Sequence, residues 1–203
     1  MISFQKKVVF IHITKSAGSS IERVLADETS ILLSGHLGRV FGRPCKAPWN
    51  HMTLTEMIES QIVPIKTIDN FYKFTVVRNP WSRLVSEYFY LKPRLNLSND
   101  VKKELIYLAD HNTTGIYGNH CLQQNIYVKN NHVTLDDVFK FEDLHVEWKN
   151  ISSKIAVSTD LPVINRSNNK HYTEYYDDES KQIIASRYEA DIKTFNYEYE
   201  ETS

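Results

Sequence analysis

One unit occurs twice in this chain and dictates most of what it can become: a short β-branched and aromatic run, a break that carries a basic residue, then helical spacing. The first is VVFIHITKSAGSSIERVL, residues 8–25. Val8 to Ile13 has the pattern of a strand covered on both faces, and Ser19 to Ala26 reads as a helix with Ile21, Val24 and Leu25 facing inward. The second is FYKFTVVRNPWSRLVSEYFYL, residues 71–91, where a strand ends at Arg78 and Pro80 takes the first helical position, at which a missing N–H costs little. Further on, DVFKFEDL reads as a strand, LPVI at 161–164 as a short one, and Asp177 caps a helix that buries Ile184, Tyr188, Ile192 and Phe195. Right-handed crossovers between such units predict an α/β fold, three-layered, around a mainly parallel sheet.

No repeat, low-complexity tract or linker interrupts the 203 residues, so the expectation is a single domain over 1–203. A net charge of -1, from 24 basic and 25 acidic residues, argues against a nucleic-acid partner. Cys45 and Cys121 stand outside any metal-ligand spacing and read as ordinary thiols, so no zinc site is expected. Met1 to Lys7 is too short and polar for a signal peptide, and no apolar run approaches the roughly 20 residues that span a bilayer. The expected location is cytoplasmic. The sequons at Asn96, Asn112, Asn150 and Asn165 then carry no meaning.

The break in the first unit, TKSAGSS, places consecutive backbone N–H groups at a helix N-terminus, with Gly18 to turn the chain, hydroxyls at Ser19 and Ser20, and one cation, Lys15. That is the chemistry of an anion cradle. The competing reading is that Gly18 and Ser19 only turn and cap the helix while Lys15 is solvated. The Walker A pattern does not fit, because the lysine precedes the glycine, which disfavours an ATP or GTP hydrolase. In the second unit Arg78 stands at the carboxyl end of its strand, where open α/β sheets place ligands, and Ser86 lies further along the following helix. Together they suit a second phosphate; separately they read as a surface ion pair and a small residue at a helix contact.

FIHITKSAGSSI resembles the FIHIPKTAGTSI signature of sulfotransferases that use 3′-phosphoadenosine 5′-phosphosulfate (PAPS), and FTVVRNPWSRLVSEYFY resembles their RxPxxRLVSxY signature. Thr14 replaces the usual proline, while Ser16 and Ser19 replace threonines and keep the hydroxyl. The tail, with HYTEYY before the last helix, is similar to the bacterial and carbohydrate-directed branch related to heparan and chondroitin sulfotransferases. Residues 92–135 are the least covered.

The resemblance implies a P-loop-kinase-like topology and a role for each matched residue. Lys15 and the N–H groups of Ser16, Ala17, Gly18, Ser19 and Ser20 would hold the 5′-phosphosulfate, and Arg78 and Ser86 the 3′-phosphate. No metal is required. Lys15 would also be catalytic, neutralising the bridging oxygen as the S–O bond breaks. The base would be His51 in WNHMTLTEM, where related enzymes carry a His-x-Thr segment. Thr53 and Glu56 form a capping box, which puts His51 in a turn with its imidazole free. His36 is the rival base and His12 a strand residue; His111, His120, His132 and His145 have no motif around them. Asn165, Arg166, Ser167, Lys170 and Tyr172 are further candidate phosphate or acceptor contacts, while Glu142 and the 12 tyrosines read as mainly structural. The expected function is sulfuryl transfer from PAPS to a hydroxyl-bearing acceptor, preferably a saccharide. The alternatives are a small nucleotide or metabolite kinase and a catalytically silent nucleotide- or glycan-binding domain.

Overall fold

The computed structural model of the protein describes residues 1–27, 30, 39–40, 43–44, 51–61, 64–111, 117, 119–130, 133–164 and 169–200. In chain order, β1 (Ile2–Ser3) and β2 (Val8–Ile11) lead into α1 (Gly18–Leu25), a small antiparallel pair β3 (Arg39–Val40) and β4 (Arg43–Pro44), α2 (Leu54–Glu59) and α3 (Ile65–Ile68). Next come β5 (Tyr72–Val77), α4 (Pro80–Leu95), α5 (Val101–Asp110), α6 (Gln124–Val128), β6 (Asp137–Lys140) and α7 (Leu144–Lys154). A 3₁₀ turn (Tyr172–Tyr175), α8 (Asp178–Arg187) and α9 (Glu189–Phe195) complete the described chain.

The main sheet has the order β1-β2-β5-β6. β2 pairs parallel with β5, Phe10 opposite Phe74, and β5 parallel with β6, Val76 opposite Phe139; only β1 runs antiparallel. The mixed α/β, mainly parallel sheet predicted by the two strand-loop-helix units is therefore present. Because successive side chains on a strand point to opposite faces, β2 sends Val9 and Ile11 into one core and Val8 and Phe10 into another. The first core includes Met52, Leu54, Met57 and Ile68; the second includes Ile21, Leu25, Leu144, Trp148 and Ile151. Full burial of each such side chain contributes about 1.5–3 kcal/mol, so these short strands are fixed by packing on both faces.

A third core joins Trp81, Leu84, Tyr88 and Leu91 of α4 to Leu105 and Leu108 of α5 and to Ile184 and Tyr188, and it anchors α4 along its length. Two expectations fail. LPVI is not a strand: Pro162 has no N–H for a ladder, and the Ile164 N–H donates to the Ser20 hydroxyl at 3.2 Å. The final helix is two helices, capped at Asp177 as expected, that meet at Tyr188, whose backbone leaves the helical region at φ -108° and ψ 23°. Ile184 and Tyr188 are buried, whereas Ile192 and Phe195 are only partly so. Among the described residues no helix is long and apolar enough to cross a membrane. Because β2 and β5 are parallel neighbours, their carboxyl ends emerge together, and the loops holding Lys15 and Arg78 lie side by side.

Candidate active site

After β2 the chain turns through Lys15 (φ 60°) and Ala17 (φ 62°), both in the left-handed region that L-residues adopt only at a cost. Gly18 is therefore not the turning residue. Its hydrogen is required by His12, since a Cβ there would lie 1.9 Å from the imidazole. No side chain caps α1. The N–H groups of Ser20 and Ile21 donate to the Ala17 carbonyl at 3.0 and 3.1 Å, whereas those of Ser16, Ala17, Gly18 and Ser19 make no hydrogen bond among the described residues. The cradle is thus one donor narrower than the sequence implies, and it faces the positive end of the helix. The Ser16 side chain is buried, bonded to the Thr14 carbonyl at 3.4 Å, and Ser20 Oγ accepts the Ile164 N–H.

The second loop is built differently. The Asn79 side chain accepts from the N–H groups of Trp81 and Ser82 at 3.1 and 3.3 Å, and Pro80 opens α4. Gln124 holds both backbone groups of Arg78: its Oε1 accepts the N–H at 2.8 Å and its Nε2 donates to the carbonyl at 2.7 Å. Asp191 of α9 in turn accepts from the N–H groups of Gln124 and Asn125, each at 2.8 Å. The Arg78 guanidinium donates to Ser82 Oγ and to the Lys15 carbonyl, both at 3.0 Å, and lies 4.3 Å over Phe141. It has no carboxylate within ion-pair distance among the described residues, so it is not a surface ion pair. Burial pulls its pKa down to about 10, against the opposing charge of Glu142, and it stays cationic at neutrality.

A cleft of about 580 Å³ opens between the two loops. Lys15, Ala17, Gly18, Ser19, Ser20, His51, Arg78 and Ser86 line it, whereas Ser16 does not. Leu161 to Ile164 form a further wall. The Lys15 ammonium sits 4.4 Å over the Tyr90 ring; burial lowers its pKa and Glu87 opposes the fall. An adjoining hollow of about 700 Å³ shares Arg78 and Ser86 and is lined also by Lys170 and Tyr172. Lys170 is paired with Glu174 at 2.9 Å, and the Tyr172 hydroxyl accepts the Glu200 N–H at 2.8 Å. Asn165, Arg166, Ser167, His36, His132 and Cys45 lie outside the described residues. Cys121 is buried, which pushes its thiol pKa up.

The capping box before α2 is present, the Glu56 N–H reaching Thr53 Oγ1 at 3.1 Å and the Thr53 N–H reaching Glu56 Oε2 at 2.8 Å. His51, expected in an open turn, is instead buried at 8% exposure. Its Nδ1 lies 3.4 Å from the His12 carbonyl, and its ring is wedged edge-to-face between His12 and His120, with centroids 4.7 and 4.8 Å away. Burial drives its pKa well below 6.5, and the neighbouring imidazoles and Arg83 push the same way, so it is neutral at pH 7.

His12 and His120, for which the sequence suggests no site role, both line the cleft. His12 Nδ1 stands 3.1 Å from Glu22 Oε1, off the line of a good hydrogen bond. His120 Nδ1 stands 2.7 Å from Glu87 Oε1. The signal for this corner is present in α4, where Arg83 and Glu87 fall on the face that buries Leu84, Tyr88 and Leu91. Arg83 ties the loops together, donating to the carbonyls of Thr14, Leu122 and His120 at 3.2, 3.0 and 2.8 Å. Thr14 adds a hydroxyl bond to the His120 carbonyl at 2.9 Å.

Residues 1–198 match the family model described as Sulfotransferase family. The chain belongs to the sulfotransferase family. No curated protein and no solved structure matches it. This sulfotransferase is a transferase acting on a hydroxyl-bearing acceptor, and sulfotransferases generally take the sulfuryl group from PAPS. Among the described residues no three His, Cys, Asp or Glu groups converge on a metal-binding point.

Proposed function

We propose that this sulfotransferase moves the sulfuryl group from PAPS to a saccharide hydroxyl, using two anion sites on adjacent parallel strands. The observation that carries the reading is the pairing of unlike helix starts across one cleft: the uncapped N-terminus of α1 with Lys15, and Arg78 held by Gln124. The free N–H groups of Ser16, Ala17, Gly18 and Ser19 and the Lys15 ammonium fit a 5′-phosphosulfate. Arg78 and Ser86 fit a 3′-phosphate, which ATP lacks. Held at both ends, the donor is oriented for in-line attack, and by analogy with phosphoryl transfer much of the rate comes from that positioning.

In the transfer the acceptor oxygen bonds to sulfur, the bridging S–O bond breaks, and the hydroxyl proton passes to a ring nitrogen of His51. A neutral imidazole is ready to accept it. Lys15 meets the charge that grows on the bridging oxygen, so the step as proposed uses no metal ion. A three-layer, P-loop-kinase-like topology, a single domain over 1–203, a cytoplasmic location and a carbohydrate rather than nucleic-acid partner belong to the same proposal, supported by the two-faced packing of β2 and the near-neutral charge of -1. The test is incubation with ³⁵S-labelled PAPS and pooled acceptor classes, the pool including unsulfated oligosaccharides. Label should appear on the saccharides without ATP or Mg²⁺. ATP- and Mg²⁺-dependent phosphorylation of the pool, with no sulfate transfer, would contradict the reading.

A further inference from the structure

Sulfuryl transfer gathers positive charge in one corner of the cleft. The Lys15 ammonium is already there, and His51 becomes an imidazolium when it takes the acceptor's proton. His51 is a poor place for that charge, because its immediate neighbours are two imidazoles and the Arg83 guanidinium contributes a further repulsion. A second feature of the same corner needs explanation. Glu87 is 1% exposed, with one oxygen on His120 Nδ1 at 2.7 Å and the other, Oε2, unpartnered among the described residues. Burying a carboxylate with an empty oxygen is costly, and the buried Arg83 one turn earlier on α4 offsets only part of that cost.

Aromatic rings and the cations Lys15 and Arg83 surround this pair, with Cys121, Tyr127 and Tyr188 also within reach of the Glu87 charge. His120 stacks on Tyr90 at 5.6 Å and meets the edge of Tyr117 at 5.6 Å and of His51 at 4.8 Å. Tyr90 carries the Lys15 ammonium on its ring, and Arg83 binds the His120 carbonyl. Glu87 thus stands behind His51 by way of His120, and its charge also acts on Lys15. The carbonyl of His120 is fixed by Arg83 and by Thr14, so the imidazole is held in place between the carboxylate and His51.

We propose that Glu87 and His120 are paired positioning residues that set His51 and offset the charge that collects on it during transfer. This rests on the sulfotransfer reading above. Glu87 touches neither donor nor acceptor; it acts through His120.

Glu87→Gln keeps the size and an oxygen for His120 Nδ1 but removes the charge. Turnover of PAPS, measured both as sulfate released to water and as transfer to unsulfated oligosaccharides, should fall about 10- to 100-fold, while calorimetric affinity for 3′-phosphoadenosine 5′-phosphate (PAP) stays within about threefold. His120→Asn, which retains a donor toward Glu87, should show the same split and serves if Glu87→Gln unfolds. The decisive comparison is the second background. Residues that act as a unit are not additive, so Glu87→Gln added to His51→Gln should cost less than about threefold more. Equal losses in both backgrounds would overturn the proposal, as would a Glu87→Gln enzyme within threefold of the parent, or a PAP affinity that falls as far as turnover. A parent protein that binds no PAP would instead sink the sulfotransfer reading, and this inference with it.

Discussion

The two strand-loop-helix units begin from the same sequence logic and end as opposites. The start of α4 is complete in itself: Asn79 caps it, Pro80 needs no partner, and Gln124 satisfies both backbone groups of Arg78. The start of α1 is left open, with no side-chain cap, two non-glycine residues in the left-handed region and four N–H groups without a partner among the described residues. A finished helix start presents a side chain, here the guanidinium of Arg78. An unfinished one presents its own backbone, which an anion can complete. In the proposed reading the difference separates the roles: Arg78 would anchor a group that does not change in the reaction, and the start of α1 would hold the group that does.

The largest expected effect lies at Lys15. If Lys15 has its proposed role, Lys15→Met removes charge stabilisation that is greatest in the transition state, so turnover at saturating PAPS should drop by about 10²–10³, roughly 2.7–4 kcal/mol, with a smaller loss of PAP affinity. Steady-state kinetics beside calorimetry would show it. If only affinity fell, the lysine would be an anchor and the contrast with Arg78 would disappear. Arg78→Met should invert the balance, weakening PAP binding by about 1.5–3 kcal/mol while turnover at saturation changes only a few-fold.

Stability separates the two helix starts as well. Gly18→Ala sets a methyl group against the His12 ring, where a Cβ would lie at 1.9 Å, and should destabilise the fold by about 1–3 kcal/mol in denaturant unfolding and displace His12 from Glu22. Asn79→Ala, which removes a side-chain cap, should cost about 0.5–2 kcal/mol. Ala17→Gly should stabilise, by about 1 kcal/mol, since it relieves a left-handed alanine. Destabilisation there would mean that the open turn is not strained.

The same region gives a pH signature. His51 resists protonation when folded but protonates freely when unfolded, so its contribution to stability is full above pH about 6.5 and is lost as pH falls below that value. His51→Gln should therefore flatten the fall in unfolding free energy between pH 7 and 5. An unchanged slope would show that His51 is not held neutral.

The parallel pairing of β2 and β5 and the helix starts after each are legible in the sequence because they rest on local patterns: an apolar run, a proline at the first helical position and a polar residue before it. What escapes depends on approach in space. Gly18 has the look of a turn residue, and only the imidazole packed against it shows why it has no side chain. The capping box locates His51 along the chain, which suggests an open turn, without revealing that His12 and His120 close over it from two other segments. His120 is 69 residues further on by number, in the stretch where the resemblance is weakest, so no spacing rule reaches it. LPVI misleads because β propensity says nothing about whether a neighbouring strand is free to pair.

The central claim is that one ligand bridges the starts of α1 and α4, and the direct measurement is calorimetric binding of PAP against AMP, in the absence of Mg²⁺, to the parent and to Arg78→Met. AMP can fill only the α1 side. The account predicts PAP bound tenfold or more tightly than AMP by the parent, from charge-assisted bonds of about 1.5–3 kcal/mol, and a gap that closes in the variant while AMP affinity stays within a few-fold. Equal affinities of the parent for PAP and AMP, or a gap untouched by the loss of Arg78, would contradict it.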